Sequence, residues 1–152
     1  MAVWFECKVR YDKMQENGMP KKVNEPYLLD AITFTEAEKR IIEEITPYMS
    51  GEYSVSAVKK TKISEIFFNP NGDKYYMVKV AFITIDEKSG KEKKSNSFIL
   101  VQASSVEDAL SVFEDGMKGT MGDYEVVSVA ETPLMDVFPF NNSSAAKKEA
   151  EG

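Results

Sequence analysis

Within 152 residues the chain carries 19 basic and 25 acidic side chains, a formal net charge of −6 and a hydrophobic fraction of 43%. That balance belongs to one ordinary globular domain or two very small ones, with no apolar run near the roughly 20 residues of a membrane helix. A single cysteine excludes an intrachain disulfide framework and a multi-cysteine zinc site, and the absence of histidine removes Ser-His-Asp and Cys-His catalysis and the usual zinc ligand.

In chain order, Val3-Phe5-Cys7-Val9-Tyr11 alternates with Trp4-Glu6-Lys8-Arg10, the period of two of a half-buried strand. The opening residues lack a basic-then-apolar signal plan, so a cytoplasmic protein is expected. Asn17-Gly18 predicts a turn, and a second strand is predicted from Val23 to Ile32. Phe34, Ala37, Ile41, Ile45 and Tyr48 recur at helical spacing, and Thr33-x-x-Glu36 fits a capping box at the start of that helix. Pro47 and Gly51 end it, and further strands are predicted over Tyr53 to Lys60 and Ser64 to Phe68. Asn71-Gly72 predicts a tight hairpin into a long strand over Lys74 to Ile85, and Ser89-Gly90 turns into Ser97 to Ala103. Ser105-x-x-Asp108 caps a second helix that ends in the glycine-broken stretch Gly116 to Gly122. Tyr124 to Ala130 and Met135 to Phe140 are the last predicted strands, and residues 141–152 read as a disordered polar tail.

The second half echoes the first. Phe34, Ala37, Ile41 and Ile45 align with Val106, Ala109, Phe113 and Met117 at an offset of 72 residues. Lys8-Val9-Arg10-Tyr11 aligns with Lys79-Val80-Ala81-Phe82, and Tyr27 to Ala31 with Phe98 to Gln102, at an offset of 71. Tyr53, Val55, Val58, Thr61, Ile63, Ile66 and Phe67 likewise match Tyr124, Val126, Val129, Thr132, Leu134, Val137 and Phe138. The expectation is an α+β fold of two duplicated ββαββ units, about residues 3–68 and 74–140. Their two helices would pack on one mainly antiparallel sheet, a single domain over residues 1–140.

The segments Trp4-Phe5-Glu6-Cys7-Lys8, Val23-Asn24-Glu25-Pro26-Tyr27-Leu28, Phe34-Thr35-Glu36-Ala37-Glu38, Met117-Lys118-Gly119-Thr120-Met121 and Met135-Asp136-Val137-Phe138-Pro139 resemble a domain family of unknown function met in gut Bacteroidetes and their phages. The resemblance spans roughly residues 3–140 and implies a small cytoplasmic or phage-encoded protein, without an activity or site residues to carry over. More loosely, strands three to six followed by helix two read ββββα, similar in topology to one repeat of the whirly and Pur-type single-strand nucleic-acid binders, in permuted order. Fold likeness of that kind does not determine function.

Candidate chemistry is sparse. Glu6-x-Lys8 lacks the preceding acidic strand of a metal-dependent nuclease, Asp86-Glu87-Lys88 falls in a turn, and Lys118-Gly119-Thr120 lacks the upstream glycine and strand of a phosphate loop. A non-enzymatic binding module without a cofactor is therefore expected. Cys7, in step with Phe5 and Val9, is expected in the core as a small hydrophobe. Charge is uneven. The helix windows 33–48 and 105–117 hold eight acids and two bases, and the rest of the chain holds 17 of each. On the strand faces opposite the predicted core lie Trp4, Lys8 and Arg10, with Tyr75 and Lys79 on the second unit, near the clusters Lys59, Lys60 and Lys62. Aromatic rings beside cations on a sheet suit single-stranded nucleic acid, since bases stack on rings while amines track phosphates. The same face also suits a protein partner or a homo-oligomer. Two alternatives accompany that reading: a protein-interaction or inhibitor module acting through the acidic helices, and a small-ligand binder at the repeat junction using the loop Lys118, Gly119, Thr120 and Gly122 with its bare backbone N–H groups. In that loop Met117 and Met121 are both expected to be core residues.

Overall fold

A computed structural model describes residues 3–139. The element order is β1 (Val3–Met14), β2 (Pro20–Ala31), α1 (Phe34–Ile45) with a short 3-10 turn (Thr46–Tyr48), β3 (Tyr53–Lys60), β4 (Ile63–Phe67), β5 (Lys74–Ile85), β6 (Glu92–Ala103), α2 (Val106–Gly116), β7 (Asp123–Glu131) and β8 (Val137–Phe138). The fold is α+β, with two helices and two mainly antiparallel four-stranded sheets, ordered β3-β1-β2-β8 and β4-β6-β5-β7. The chain divides into two compact units, one holding residues 3–61 and 133–139 and the other residues 62–132. The predicted tail from residue 141 and the final predicted position, Phe140, lie outside the described residues.

In unit 1 the alternation of β1 sends Phe5, Cys7 and Val9 to one face, where they meet Tyr27, Leu29 and Ala31 of β2 and the stripe Ala37, Ile41 and Ile45 of α1. The helix starts as its sequence predicts. Thr33 accepts a hydrogen bond from the Glu36 N–H at 3.1 Å, and the Glu36 carboxylate accepts from the N–H of Ile32, one residue ahead of the cap, at 3.3 Å. Unit 2 repeats the arrangement. Tyr76, Val78 and Val80 of β5 pack with Ile99, Val101 and Ala103 of β6 and with Ala109, Phe113 and Met117. Ser105 accepts from Asp108 N–H at 3.1 Å, and the Asp108 carboxylate accepts from Ser104 N–H at 3.0 Å.

Each helix thus has its own sheet, where one shared sheet was expected. A hairpin and one further strand already cover the narrow apolar stripe of each helix, so neither stripe needs the other unit's strands. The pairing of the short strands also differs from expectation. β4 runs parallel to β6, and β8 parallel to β2, so each sheet's fourth strand comes from the other half of the sequence. The connection from Phe68 to Asp73 is accordingly not a hairpin, and β3 and β4 lie in different sheets, which breaks the ββββα run. The true hairpin turns are those of Gly18 (φ +80°) and Gly90 (φ +70°), in the left-handed region that glycine tolerates. Gly72 instead presses its backbone against Ala103, and the Gln102 side chain holds its loop by accepting from Asn69 N–H and donating to the Gly72 carbonyl, both at 3.0 Å.

Two tyrosines of unit 1 tie its stability to alkaline pH. The Tyr11 hydroxyl donates to Glu25 at 2.5 Å, and that hydrogen bond, more than burial, pushes its pKa from 10.0 up to about 12. Burial, followed by the charges of Glu25 and Asp136, pushes Tyr27 up to about 12 as well. A phenol held neutral by folding contributes stability that is fully present below pH 10 and is lost as pH rises toward 12. Urea titrations across that window are expected to show a fall in stability that is visibly shallower in Tyr11→Phe; equal slopes in the two proteins would refute the Glu25 bond as its source.

Candidate functional site

The predicted binding residues divide sharply. On the β1 face turned away from α1, Trp4 and Lys8 are half-buried and Arg10 is exposed. Glu6 of the same face lies opposite Lys59 of β3, and Lys60 stands opposite Phe5. Lys59, Lys60 and Lys62 are all exposed. The two candidates on unit 2 are less accessible. Tyr75 is only 5% exposed, and Leu100 and Ala81 on the same sheet face are shielded with it. A ring without an accessible face cannot stack on a base, so Tyr75 leaves the set, and Lys79 is half-buried opposite Phe98 and Ser128. The backbone carbonyls of Trp4 and Tyr75 do share a role: each accepts from both the N–H and the hydroxyl of a threonine, Thr61 and Thr132 respectively, at 2.8–2.9 Å.

The glycine loop after α2 is explained by its backbone. Gly119 (φ +85°) and Gly122 (φ +104°) need glycine for their left-handed conformation, and no neighbouring atom approaches the place of a Cβ. Thr120 N–H donates to the Met117 carbonyl at 3.0 Å, closing the turn, and the Lys118 ammonium lies 3.1 Å from Asp115. Met117 is buried as expected, but Met121 is 92% exposed, because the turn at Gly119 carries it off the helix stripe.

Cys7 lies in the unit 1 core, where burial above all, and then the Glu6 charge, pushes its thiol up to about 12. It is protonated near neutral pH and is no nucleophile. Asp86 has a local role, accepting from Lys88 N–H at 2.8 Å within the β5–β6 turn. Among the described residues no group of three or more Cys, Asp or Glu side chains is placed to hold a metal ion, and no helix is long and apolar enough to cross a membrane.

The site that the structure adds lies in unit 2, between α2 and β4 with its following loop. It is a groove of about 690 Å³ whose apolar lining includes Phe67, Phe68, Pro70 and Val112, with Asp108 and Asp115 at its helix side. At its helix end Gly116 allows the close approach of the Phe67 ring: a Cβ there would lie 2.6 Å from it. That ring sits against the bare helix backbone and reaches Phe113, 6.3 Å between centroids.

In unit 1 the same place, between α1 and β8, is filled by Arg40. Its guanidinium donates to the Asp30 carbonyl, lies 3.4 Å from the Asp30 carboxylate, and donates to the carbonyls of Phe138 at 3.2 Å and Pro139 at 3.4 Å. Glu44, one turn further along α1, stands 3.9 Å away. The correspondence comes from register. Leu28 pairs with Val137 as Leu100 pairs with Ile66, and the helix caps Thr33 and Ser105 are separated by the same 72 residues as Leu28 and Leu100. Arg40 and Glu44 therefore correspond to Val112 and Gly116, and Phe138 and Pro139 to Phe67 and Phe68. The same registers place the β2–β6 offset at 72, one more than sequence alignment suggested, because the β5–β6 turn is one residue longer than the β1–β2 turn. Sequence reasoning took Arg40 for one more charge on an acidic helix; the signal for the groove was the replacement of Arg40 and Glu44 by Val112 and Gly116 in the second half.

The chain belongs to the family described as a domain of unknown function, DUF4494, which matches residues 3–140. A search of curated proteins found no match.

Proposed function

We propose that this member of the family is a non-enzymatic protein-interaction module working through the α2–β4 groove of unit 2. The single observation that carries the reading is the groove itself: an open cleft where aromatic and aliphatic side chains mix with polar ones and with carboxylates of an acidic helix. Clefts that combine apolar side chains with placed polar groups are how proteins seat ligands and peptide segments. The test is affinity capture with the full chain, comparing wild type with Phe68→Asp. A partner retained after nuclease treatment and lost with Phe68→Asp supports the reading. A second reading, single-stranded nucleic acid on unit 1, is favoured by the exposure of Arg10, Lys59 and Lys60. It predicts salt-sensitive anisotropy with labelled single strands that is lost in Arg10→Ala and Lys59→Ala. That result, with no groove-dependent partner, would overturn the first reading in favour of the second.

The two units further support descent from one duplicated segment. Their sheets have the same strand order read from opposite ends, and each carries an irregularity at a corresponding place, Lys8/Val9 and Lys79/Val80. The threonine bonds to Trp4 and Tyr75 and the two-bond caps at Thr33 and Ser105 repeat as well.

A further inference from the structure

We infer that the unit 2 groove takes an arginine side chain from a partner's peptide, seated where Arg40 sits in unit 1. This rests on the protein-interaction reading and names the chemistry of the partner. The unit 1 arrangement shows what the architecture does with this place when the chain supplies its own cation. One guanidinium spans the end of β2 and the two successive carbonyls at the end of β8. In unit 2 the helix position is Val112, whose side chain donates no hydrogen bond, and the neighbouring Glu44 is replaced by Gly116, against which the Phe67 ring packs. The apolar lining suits the methylene stem and the flat guanidinium face, which stacks on aromatic rings such as Phe67 and Phe68. Asp108 and Asp115 line the groove and give it negative charge, although the positions of Asp30 and Glu44, which face Arg40 in unit 1, are Gln102 and Gly116 in unit 2. Asp115 already faces Lys118, but that pair is well exposed, the class of ion pair that water and salt weaken most.

Arginine fits better than lysine because one planar guanidinium reaches two strand ends at once, as Arg40 does with Nη1 on the Asp30 carbonyl and Nη2 on the Phe138 and Pro139 carbonyls, whereas an ammonium is a point charge. A volume of about 690 Å³ exceeds one side chain and leaves room for the flanking residues of a short extended segment.

The experiment uses the full chain as bait against four displayed peptide libraries with random flanks and a central arginine, lysine, citrulline or leucine. The arginine library is expected to be enriched at least tenfold over the citrulline and leucine libraries. Val112→Arg, which restores the unit 1 occupant within the chain, is expected to abolish that enrichment. Where Val112→Arg fails to fold, the exposed substitution Asp115→Lys carries the same expectation of a severalfold loss. Equal retention of citrulline, leucine and arginine peptides, all lost in Phe68→Asp, would overturn the arginine assignment and leave the groove as a peptide site. Retention of no peptide class by a folded chain would overturn both.

Discussion

Replacing Gly72 by alanine is expected to destabilise the protein by about 3 kcal/mol or more, against about zero for Gly51→Ala. A Cβ at Gly72 would stand 2.5 Å from both N and Cα of Ala103 and 2.7 Å from its carbonyl carbon. These are backbone atoms of a fully buried residue at the end of β6, so no rotamer change relieves the overlap. The loop would have to lift, and lifting it breaks the two Gln102 bonds that hold Asn69 and Gly72 to the end of β6. Those groups are partly buried, and stranding them adds the cost of unpaired polar atoms. At Gly51 nothing lies within 4 Å of a Cβ and the φ angle is ordinary. The added methyl there acts only by narrowing the unfolded ensemble. Thermal melts of the two variants are the measurement. A drop of roughly 10 °C for Gly72→Ala is expected, and an unchanged melting temperature would show that Gly72 does not sit against β6 as described.

The second large effect follows from the provenance of the fourth strands. A chain ending at Leu134 is expected to lose the cooperative fold of unit 1, whereas one ending at Pro139 keeps it. β8 has only two residues, yet Val137 is fully buried and Phe138 is 6% exposed. The Phe138 ring stacks on Tyr27 at 5.8 Å between centroids. Deleting two such side chains costs on the order of 5 kcal/mol in lost burial and cavity. The segment also supplies the Asp136 carbonyl to Leu28 N–H at 3.0 Å and the Met135 N–H to the Pro26 carbonyl at 2.9 Å. The chain ending at Leu134 lacks both, and Arg40 is left part-buried without two of its acceptors. The sum approaches the whole stability of an ordinary domain. Hydrogen exchange at the β1 amides reads this directly: protection is expected in the chain ending at Pro139 and loss of it in the shorter chain. Full protection in both would mean that the three antiparallel strands and helix of unit 1 stand without β8.

The same geometry explains why some of this architecture was legible in the residues and some was not. The alternation Phe5-Cys7-Val9, the stripe Ala37-Ile41-Ile45 and the caps at Thr33 and Ser105 are local statements, and the structure realises each of them. The turns at Gly18 and Gly90 were also readable, since positive φ makes glycine informative by itself. Asn71-Gly72 carried the same dipeptide as Asn17-Gly18 and misled, because its glycine answers a close approach to Ala103, which no local pattern encodes. Tyr75 misled for a related reason. Its place on the strand face away from the helix was correct, but alternation says which face a residue takes and nothing about whether that face meets water.

The sequence by itself determined the elements, their apolar faces, the α+β class and the exclusion of histidine-based chemistry, because propensity, periodicity and composition are properties of short stretches and of residue counts. Only the tertiary structure decided that there are two sheets, that β4 and β8 complete each other's halves in parallel, and that Arg40 fills in unit 1 the place a groove occupies in unit 2. Strand partners are chosen among segments of nearly equal apolar character, and the choice is made by burial and hydrogen bonding across tens of residues. The short runs Ile63–Phe67 and Val137–Phe138 therefore carry too little information to announce their sheet.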